Sequence, residues 1–179
     1  MACPGSIRGY SLYELLMTLT LVALVLTLGL PSFGTLAADQ RLRTETDRLF
    51  HAVHLARKAS VTRRRVVTLC PSSDGEFCSG GGDWSAGWLM FVNTDRDSPP
   101  ERDPDEAVLM AHKVGDQVRV HANRRGFTFR STELRATNGT FVFCDRSGRA
   151  ATRALVISYT GRPRVTRTQR DGDPYTCPD

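Results

Sequence analysis

Two stretches of this 179-residue sequence lack charged side chains, one of both signs and the other of negative sign. No charged side chain occurs between Glu14 and Asp39, and no acidic side chain occurs between Arg146 and Arg170. The uncharged stretch exceeds the roughly 20 residues that a helix needs to cross a hydrocarbon core, which predicts a membrane-spanning helix over residues 10–37. The acid-free stretch, in a chain of net charge +5, favours an anionic partner.

The chain also lacks the motifs of common enzyme and metal sites. It has no G-x-S-x-G, H-E-x-x-H or Walker sequence, and Gly80–Gly82 is not followed by the Lys-Ser/Thr of a phosphate loop. The acidic segment 93–106 has no D-x-D-x-D-G calcium loop, and its prolines favour a hairpin loop. We therefore expect no enzyme activity, no cofactor and no resident metal.

Five cysteines are present, one before the uncharged stretch and four after it. An even number on one side of a membrane segment predicts two disulfides in an oxidising compartment. A zinc site is disfavoured because no C-x-x-C pair occurs and no histidine lies near these cysteines, and four free thiols are the other alternative. Of the three possible pairings we favour Cys70–Cys78, which brackets a glycine-rich turn, and Cys144–Cys177, which would pin the chain terminus.

The residues around the start of the uncharged stretch are in the wrong order for a secretory signal peptide. Arg8 and Gly9 precede the stretch, and no A-x-A-like cleavage site follows it. The segment YSLYELL, which begins at Tyr10, resembles the class III signal of type IV prepilins, although Tyr10 replaces Phe and Tyr13 stands where Ile or Val is commoner. That resemblance implies that a prepilin peptidase cuts after Gly9, that Tyr10 becomes N-methylated and that Glu14 meets the amino terminus of a neighbouring subunit during assembly.

Glu14 has a physical reason to need a partner. An ionised carboxylate near a membrane core costs several kcal/mol unless it is paired. The alternative to an assembly role is an ordinary flanking charge in the headgroup layer.

Beyond the uncharged stretch the pattern changes twice. Over residues 38–65, apolar positions such as Leu42 and Leu49 recur at helical spacing, which predicts an amphipathic continuation of the helix. We expect Pro31 to loosen this helix and Asp39 to cap or restart it. Residues 66–179 consist of short runs separated by turns, and a helix followed by many strands predicts an α+β fold. The predicted strands are 65–70, 87–93, 107–114, 117–123, 127–131, 139–145, 153–160 and 164–168.

The head carries a more specific likeness. A Cys–Cys loop, a Trp-x-x-Gly-Trp strand start at Trp84–Trp88 and a Gly-Arg-x-Arg element at Gly161–Arg164 resemble the FimT/GspH family of minor pilins and pseudopilins. The resemblance implies a type IV pilin-like fold, in which a long helix packs on an antiparallel sheet or small sandwich. It also implies a leader at residues 1–9, and a segment over 10–37 that lies in the membrane or in a filament core.

Some FimT-type members are associated with DNA binding through the Gly-Arg-x-Arg element, and the residues here agree. Arginine binds phosphate bidentately, and Gly161 with Pro163 favours a tight turn that presents Arg162 and Arg164. We expect no base-specific readout, and we expect Tyr159 in the core. The alternatives are a solvated arginine surface, or arginines that pair with acids on another subunit. The predicted DNA-binding residues are Gly161, Arg146, Arg149, Arg153, Arg162, Arg164, Arg167 and Arg170.

The sequence therefore indicates a FimT-like minor pilin that supports pilus assembly and captures double-stranded DNA for uptake. Its expected partners are other pilin subunits, the prepilin peptidase, DNA and, before assembly, lipid of the bacterial inner membrane. The head would be periplasmic at first and then exposed on a filament at the cell surface. The alternative is a GspH-like pseudopilin of type II secretion, which would contact protein cargo instead of DNA.

Overall fold

The computed structural model describes residues 9–131 and 135–178, with only the backbone for residues 28–32. One long helix, α1, runs from Leu12 to Arg63. Ser11 caps its start, because its side chain accepts a hydrogen bond from the backbone N–H of Glu14 at 3.3 Å. Arg64, in the left-handed conformation with φ 52°, ends it. The predicted leader residues 1–8 lie outside the described part of the chain.

The helix continues without interruption past Asp39, so the expectation that Asp39 caps or restarts a helix is wrong. The physical reason is that the Asp39 carboxylate binds arginine side chains of the head and its own helix rather than a backbone N–H at a helix start.

The two halves of α1 have different surroundings. Side chains from Leu12 to Leu26 are exposed on all sides, whereas Leu42, Leu49 and Val53 are buried against the head, as their spacing predicted. Among the described residues, no helix is both long and apolar enough to cross a membrane. The predicted span over residues 10–37 includes 28–32, whose side chains are not described, and it stays a prediction.

Among the described residues, eight antiparallel strands form two four-stranded sheets, which confirms the predicted strands with shifts of at most three residues at their ends. The first sheet has the order β3–β2–β1–β5 and the second the order β4–β6–β7–β8. The strands are β1 Val66–Pro71, β2 Trp88–Asn93, β3 Val108–His112, β4 Val118–Ala122, β5 Phe127–Phe129, β6 Gly139–Asp145, β7 Arg153–Ile157 and β8 Pro163–Thr166.

The two sheets and the second half of α1 enclose one aromatic-rich core. Phe127 of the first sheet stacks on Phe141 of the second with ring centroids 4.4 Å apart, and Trp84 packs edge-on against Phe141 at 4.8 Å. The helix contacts strands of both sheets. This arrangement is the predicted α+β fold, a long helix packed on a small sandwich of antiparallel sheets.

Both disulfides join the pairs that the sequence favoured, Cys70 with Cys78 and Cys144 with Cys177. The first closes the loop after β1. The second joins β6 to the chain terminus, so it holds the end of the chain against the second sheet.

Candidate nucleic-acid interface

The Gly-Arg-x-Arg element forms the turn between β7 and β8. The backbone N–H of Gly161 donates to the carbonyl of Ser158 at 2.8 Å, and the N–H of Ser158 donates to the carbonyl of Arg162 at 3.0 Å. The Ser158 hydroxyl accepts a further bond from the N–H of Arg162. Gly161 has φ 72°, in the left-handed region, and it is buried against Phe129 and Ala136. A buried glycine thus fixes the turn on the core and leaves Arg162 exposed at its surface.

Strand β8 places Arg164 on the outer face of the second sheet. Arg164 pairs with Val156 of β7, and Val156 pairs with Thr140 of β6, so the three residues form one row across the sheet. The neighbouring row contains Leu155, which is buried in the core. Since side chains alternate along a strand, the Arg164 row faces away from the core.

The exposed arginines meet in a groove of about 750 Å³ on this face. Arg162, Arg164 and Arg170 line it together with Asn123, Asn138 and Thr140, and the described residues of its lining include no acid. Within the part of the chain that the structure describes, none of the three arginine side chains makes a hydrogen bond or ion pair. Their guanidinium groups are therefore available for an anion, which arginine binds with two parallel N–H donors when the anion is a phosphate.

Tyr159 lies at the edge of the groove and is 54% exposed, so the expectation that it is a core residue is wrong. The turn that buries Gly161 carries Tyr159 on its outer side, and the Arg135 guanidinium lies 5.4 Å from the centre of the Tyr159 ring. This arginine–aromatic contact lies beside the groove and includes a residue, Arg135, that the sequence did not indicate.

The other four arginines of the acid-free stretch lie elsewhere. Arg153 is the first residue of β7, and the turn that contains Arg162 follows the last residue of this strand. The two ends of the strand are about 13 Å apart, because each of the four residue steps spans about 3.3 Å. An Nη atom of Arg153 binds Asp39 at 2.9 Å, and Arg167 approaches the same carboxylate oxygen at 3.4 Å. The structure does not bring the seven arginines into one patch.

Arg146 and Arg149 lie in the turn between β6 and β7, at the end of the second sheet where β7 begins with Arg153. We call this the lower end of the second sheet. The Arg149 guanidinium lies against Gly34 of the helix, where an added Cβ would come within 2.9 Å of it. Arg146 lines a separate surface pocket together with Asp83. The pKa of Asp83 is lowered mainly by a hydrogen bond from Ser85, and burial of the carboxyl opposes this effect. The positive charge of Arg146 also lowers the pKa of Asp83, by a smaller amount.

Asp39 is the centre of the contacts between helix and head at this lower end. The hydrogen bond from Arg153 is the largest cause that lowers the pKa of Asp39, burial opposes it, and the charges of Arg153, Arg43 and Arg167 add to the lowering. Arg153 and Arg167 are thus engaged in holding the helix to the head, a role that the sequence prediction of DNA contact did not include.

Three groove residues, Asn123, Asn138 and Thr140, were not predicted. They come from the loops and strand that precede β7, and only the antiparallel register of β6 with β7 and the end of β4 bring them beside Arg164. No local pattern in the sequence could have indicated them. Arg135 was missed for the same reason, since it lies far along the chain from Tyr159.

The predicted processing and assembly residues lie at the exposed start of the helix. Gly9 and Tyr10 precede the helix and are exposed, and Glu14 lies in its first turn. Their predicted roles need the peptidase and neighbouring subunits, and they stay predictions.

Within residues 9–131 and 135–178, no three histidine, cysteine or acidic side chains come together in a way that could hold a metal ion. In the acidic segment 93–106, the buried Glu106 carboxylate accepts hydrogen bonds from the N–H and hydroxyl of Thr94. The Glu106 carboxylate therefore stabilises the loop between β2 and β3.

A family model described as "Type II transport protein GspH" matches residues 45–161, about two thirds of the chain. The chain belongs to the GspH family. The family match begins in the helix at Glu45 and ends at Gly161, so it covers the fold of the head but not the groove arginines Arg162, Arg164 and Arg170.

Solved structures support the fold of this GspH-family chain. Two crystal forms of the type IV minor pilin FimU from Pseudomonas aeruginosa are 20% identical to it. The first has a TM-score of 0.53 over 71% of this chain and 89% of FimU, and the second has 0.51 over 69% and 91%. At this identity the likeness concerns the fold alone. A search of curated proteins returns no match.

Proposed function

We propose that this GspH-family chain is a minor pilin that joins a filament and binds double-stranded DNA, without sequence preference, in the arginine groove. The observation that carries the proposal is the set of three exposed arginines that converge in one groove, with no acid among the described residues of its lining. Phosphate backbones supply most of the affinity of non-specific DNA binding, and arginine side chains are suited to contact them. In a naturally competent host, such binding would serve DNA uptake.

The first half of α1 supports the filament part of the proposal. Its exposed apolar side chains, such as Leu12, Leu19 and Leu24, need a lipid or protein environment. We propose that this half lies in the inner membrane before assembly and then packs against the same helix of other subunits. Cleavage after Gly9 and a contact from Glu14 to a neighbouring amino terminus belong to the same proposal.

A binding measurement with charge-matched variants tests the DNA part. Fluorescence anisotropy of short labelled duplexes of two unrelated sequences would be measured with the full chain in a non-ionic detergent at low salt. We expect equal binding to both duplexes, and loss of most of the affinity in Arg162→Gln/Arg164→Gln. The control is Arg146→Gln/Arg149→Gln, which removes the same charge from the opposite end of the sheet and should bind nearly as the wild type does.

The family description gives one specific reason to keep a second candidate. GspH is named there as a type II transport protein, and this chain could instead be a pseudopilin of type II secretion that contacts protein cargo. Equal DNA binding by the two double variants, or no binding by the wild type, would favour this second function and leave the β7–β8 turn as a packing element.

A further inference from the structure

The chain after β8 folds back as a strap over the outer face of the second sheet. We call residues 167–178 the C-terminal strap. Its hairpin is held by hydrogen bonds from the N–H of Gln169 to the carbonyl of Asp173 at 2.7 Å and from the N–H of Tyr175 to the carbonyl of Arg167 at 3.2 Å. Arg170 lies at the tip of this hairpin and lines the arginine groove.

The strap forms a wall between two grooves on that face. On its other side, Gln169, Tyr175 and Pro178 line a second groove of about 480 Å³ with His121 and Val142 of the sheet. Asn123 and Thr140 line both grooves, so the two are adjacent. The position of the strap therefore sets the shape of the arginine groove.

Arg167, at the start of the strap, pairs with Asp39 of the helix, and beyond it one covalent bond is the main link that holds the strap to the sheet. The residues of the strap are exposed or half-buried, and none contributes to the buried core. Cys177 is bonded to Cys144, which is buried in β6, and the Thr152 hydroxyl lies 3.4 Å from the Cys177 sulfur. Segments with few buried contacts open readily unless something ties them down, and here the disulfide does so.

We propose that the Cys144–Cys177 disulfide is a positioning element of the groove, which holds the strap so that Arg170 acts with Arg162 and Arg164 on the same DNA backbone. This inference rests on the proposed DNA binding. Arg170 contributes because its position is fixed before DNA arrives, so little chain entropy is lost on binding. Without the disulfide the strap leaves the sheet and the groove loses its third arginine.

The test is a double-mutant cycle in the full chain, with affinity for a labelled duplex measured in non-ionic detergent. Arg170→Gln alone should weaken binding roughly five- to tenfold, the effect of one lost charged contact. Cys144→Ser/Cys177→Ser should weaken it by a similar factor, and adding Arg170→Gln to that protein should have almost no further effect. The control, Cys70→Ser/Cys78→Ser, removes the other disulfide, which is not part of the groove, and should bind as the wild type does.

The outcomes separate this inference from the function on which it rests. Additive losses from Arg170→Gln and Cys144→Ser/Cys177→Ser, or wild-type affinity in either variant, would overturn the role of the strap while Arg162→Gln/Arg164→Gln still reports on DNA binding. If the protein without Cys144 and Cys177 does not fold, as its circular dichroism would show, the cycle uses Cys177→Ser alone, which removes the disulfide and leaves the buried Cys144 in place. No DNA binding by the wild type would overturn both proposals.

Discussion

Gly161 shows how one residue both fixes and exposes the proposed DNA contact. Its backbone has φ 72°, which side-chain-bearing residues adopt at a cost, and it lies against the Phe129 ring. The sequence predicted the tight turn from Gly161 and Pro163. It could not predict that the turn is anchored on the core, because Phe129 and Ala136 lie more than twenty residues earlier in the chain.

Gly161→Ala is expected to lower the free energy of unfolding by about 2–3 kcal/mol. The left-handed backbone costs about 1–2 kcal/mol for alanine, and the new Cβ would be 3.1 Å from the Cβ of Ala136, which adds overpacking. Gly148→Ala is the matched control, since Gly148 has φ 67° and no atom within 4 Å of an added Cβ. Urea unfolding measures both, and an equal loss in the two variants would show that the contact with the core contributes nothing.

At the scale of elements, the contact between helix and head depends on Asp39. Its carboxylate accepts from Arg43 on the helix and from Arg153 on β7, both at 2.9 Å. Arg153 lies 114 residues along the chain from Asp39. Arg153 was predicted to bind DNA because a run of arginines does not reveal which members have acids opposite them in the fold.

Asp39→Asn is expected to lower the free energy of unfolding at pH 7 by about 1–2 kcal/mol, the size of a partly exposed charged contact. The folded state lowers the pKa of Asp39 below its ordinary value of 3.8, so the wild-type contact is complete above that value and is lost as the pH falls through the lowered pKa. The difference between wild type and variant should therefore shrink toward pH 2.

Urea unfolding at pH 7 and at low pH checks this expectation. Asp47→Asn is the control, because Asp47 is exposed on the same helix and, among the described residues, makes no ion pair. Two results would contradict the proposed importance of the Asp39 contacts. One is equal stability of Asp39→Asn and Asp47→Asn at pH 7, and the other is a stability difference between wild type and Asp39→Asn that does not change with pH.

The elements themselves were largely predictable, and their arrangement was not. Strands such as β6, in which Phe141 and Phe143 alternate with the half-buried Thr140 and Val142, have a period of two that the sequence displays directly. The helix was recognisable from its spacing, but Pro31 suggested a break with a restart at Asp39, and the helix is continuous there. The order of strands in two sheets and the row Thr140–Val156–Arg164 come from pairing between distant segments, which no local pattern encodes.

At the scale of the whole molecule, the arginines of the acid-free stretch have two different surroundings. Arg153 and Arg167 bind Asp39 of the helix. Arg162, Arg164 and Arg170 are exposed and line one groove. None of the described residues in the exposed half of α1 lines this groove. A subunit held in a filament by that half could present its groove at the filament surface.

The salt dependence of DNA binding by the full chain tests the central claim most directly. Each phosphate neutralised contributes about 0.9 to the slope of log K against log salt concentration. We expect Arg162→Gln/Arg164→Gln to flatten the wild-type slope by nearly two, and Arg146→Gln/Arg149→Gln to leave it almost unchanged. Equal flattening by both variants would contradict the account, because it would show that DNA responds to the net positive charge of the chain and not to a groove.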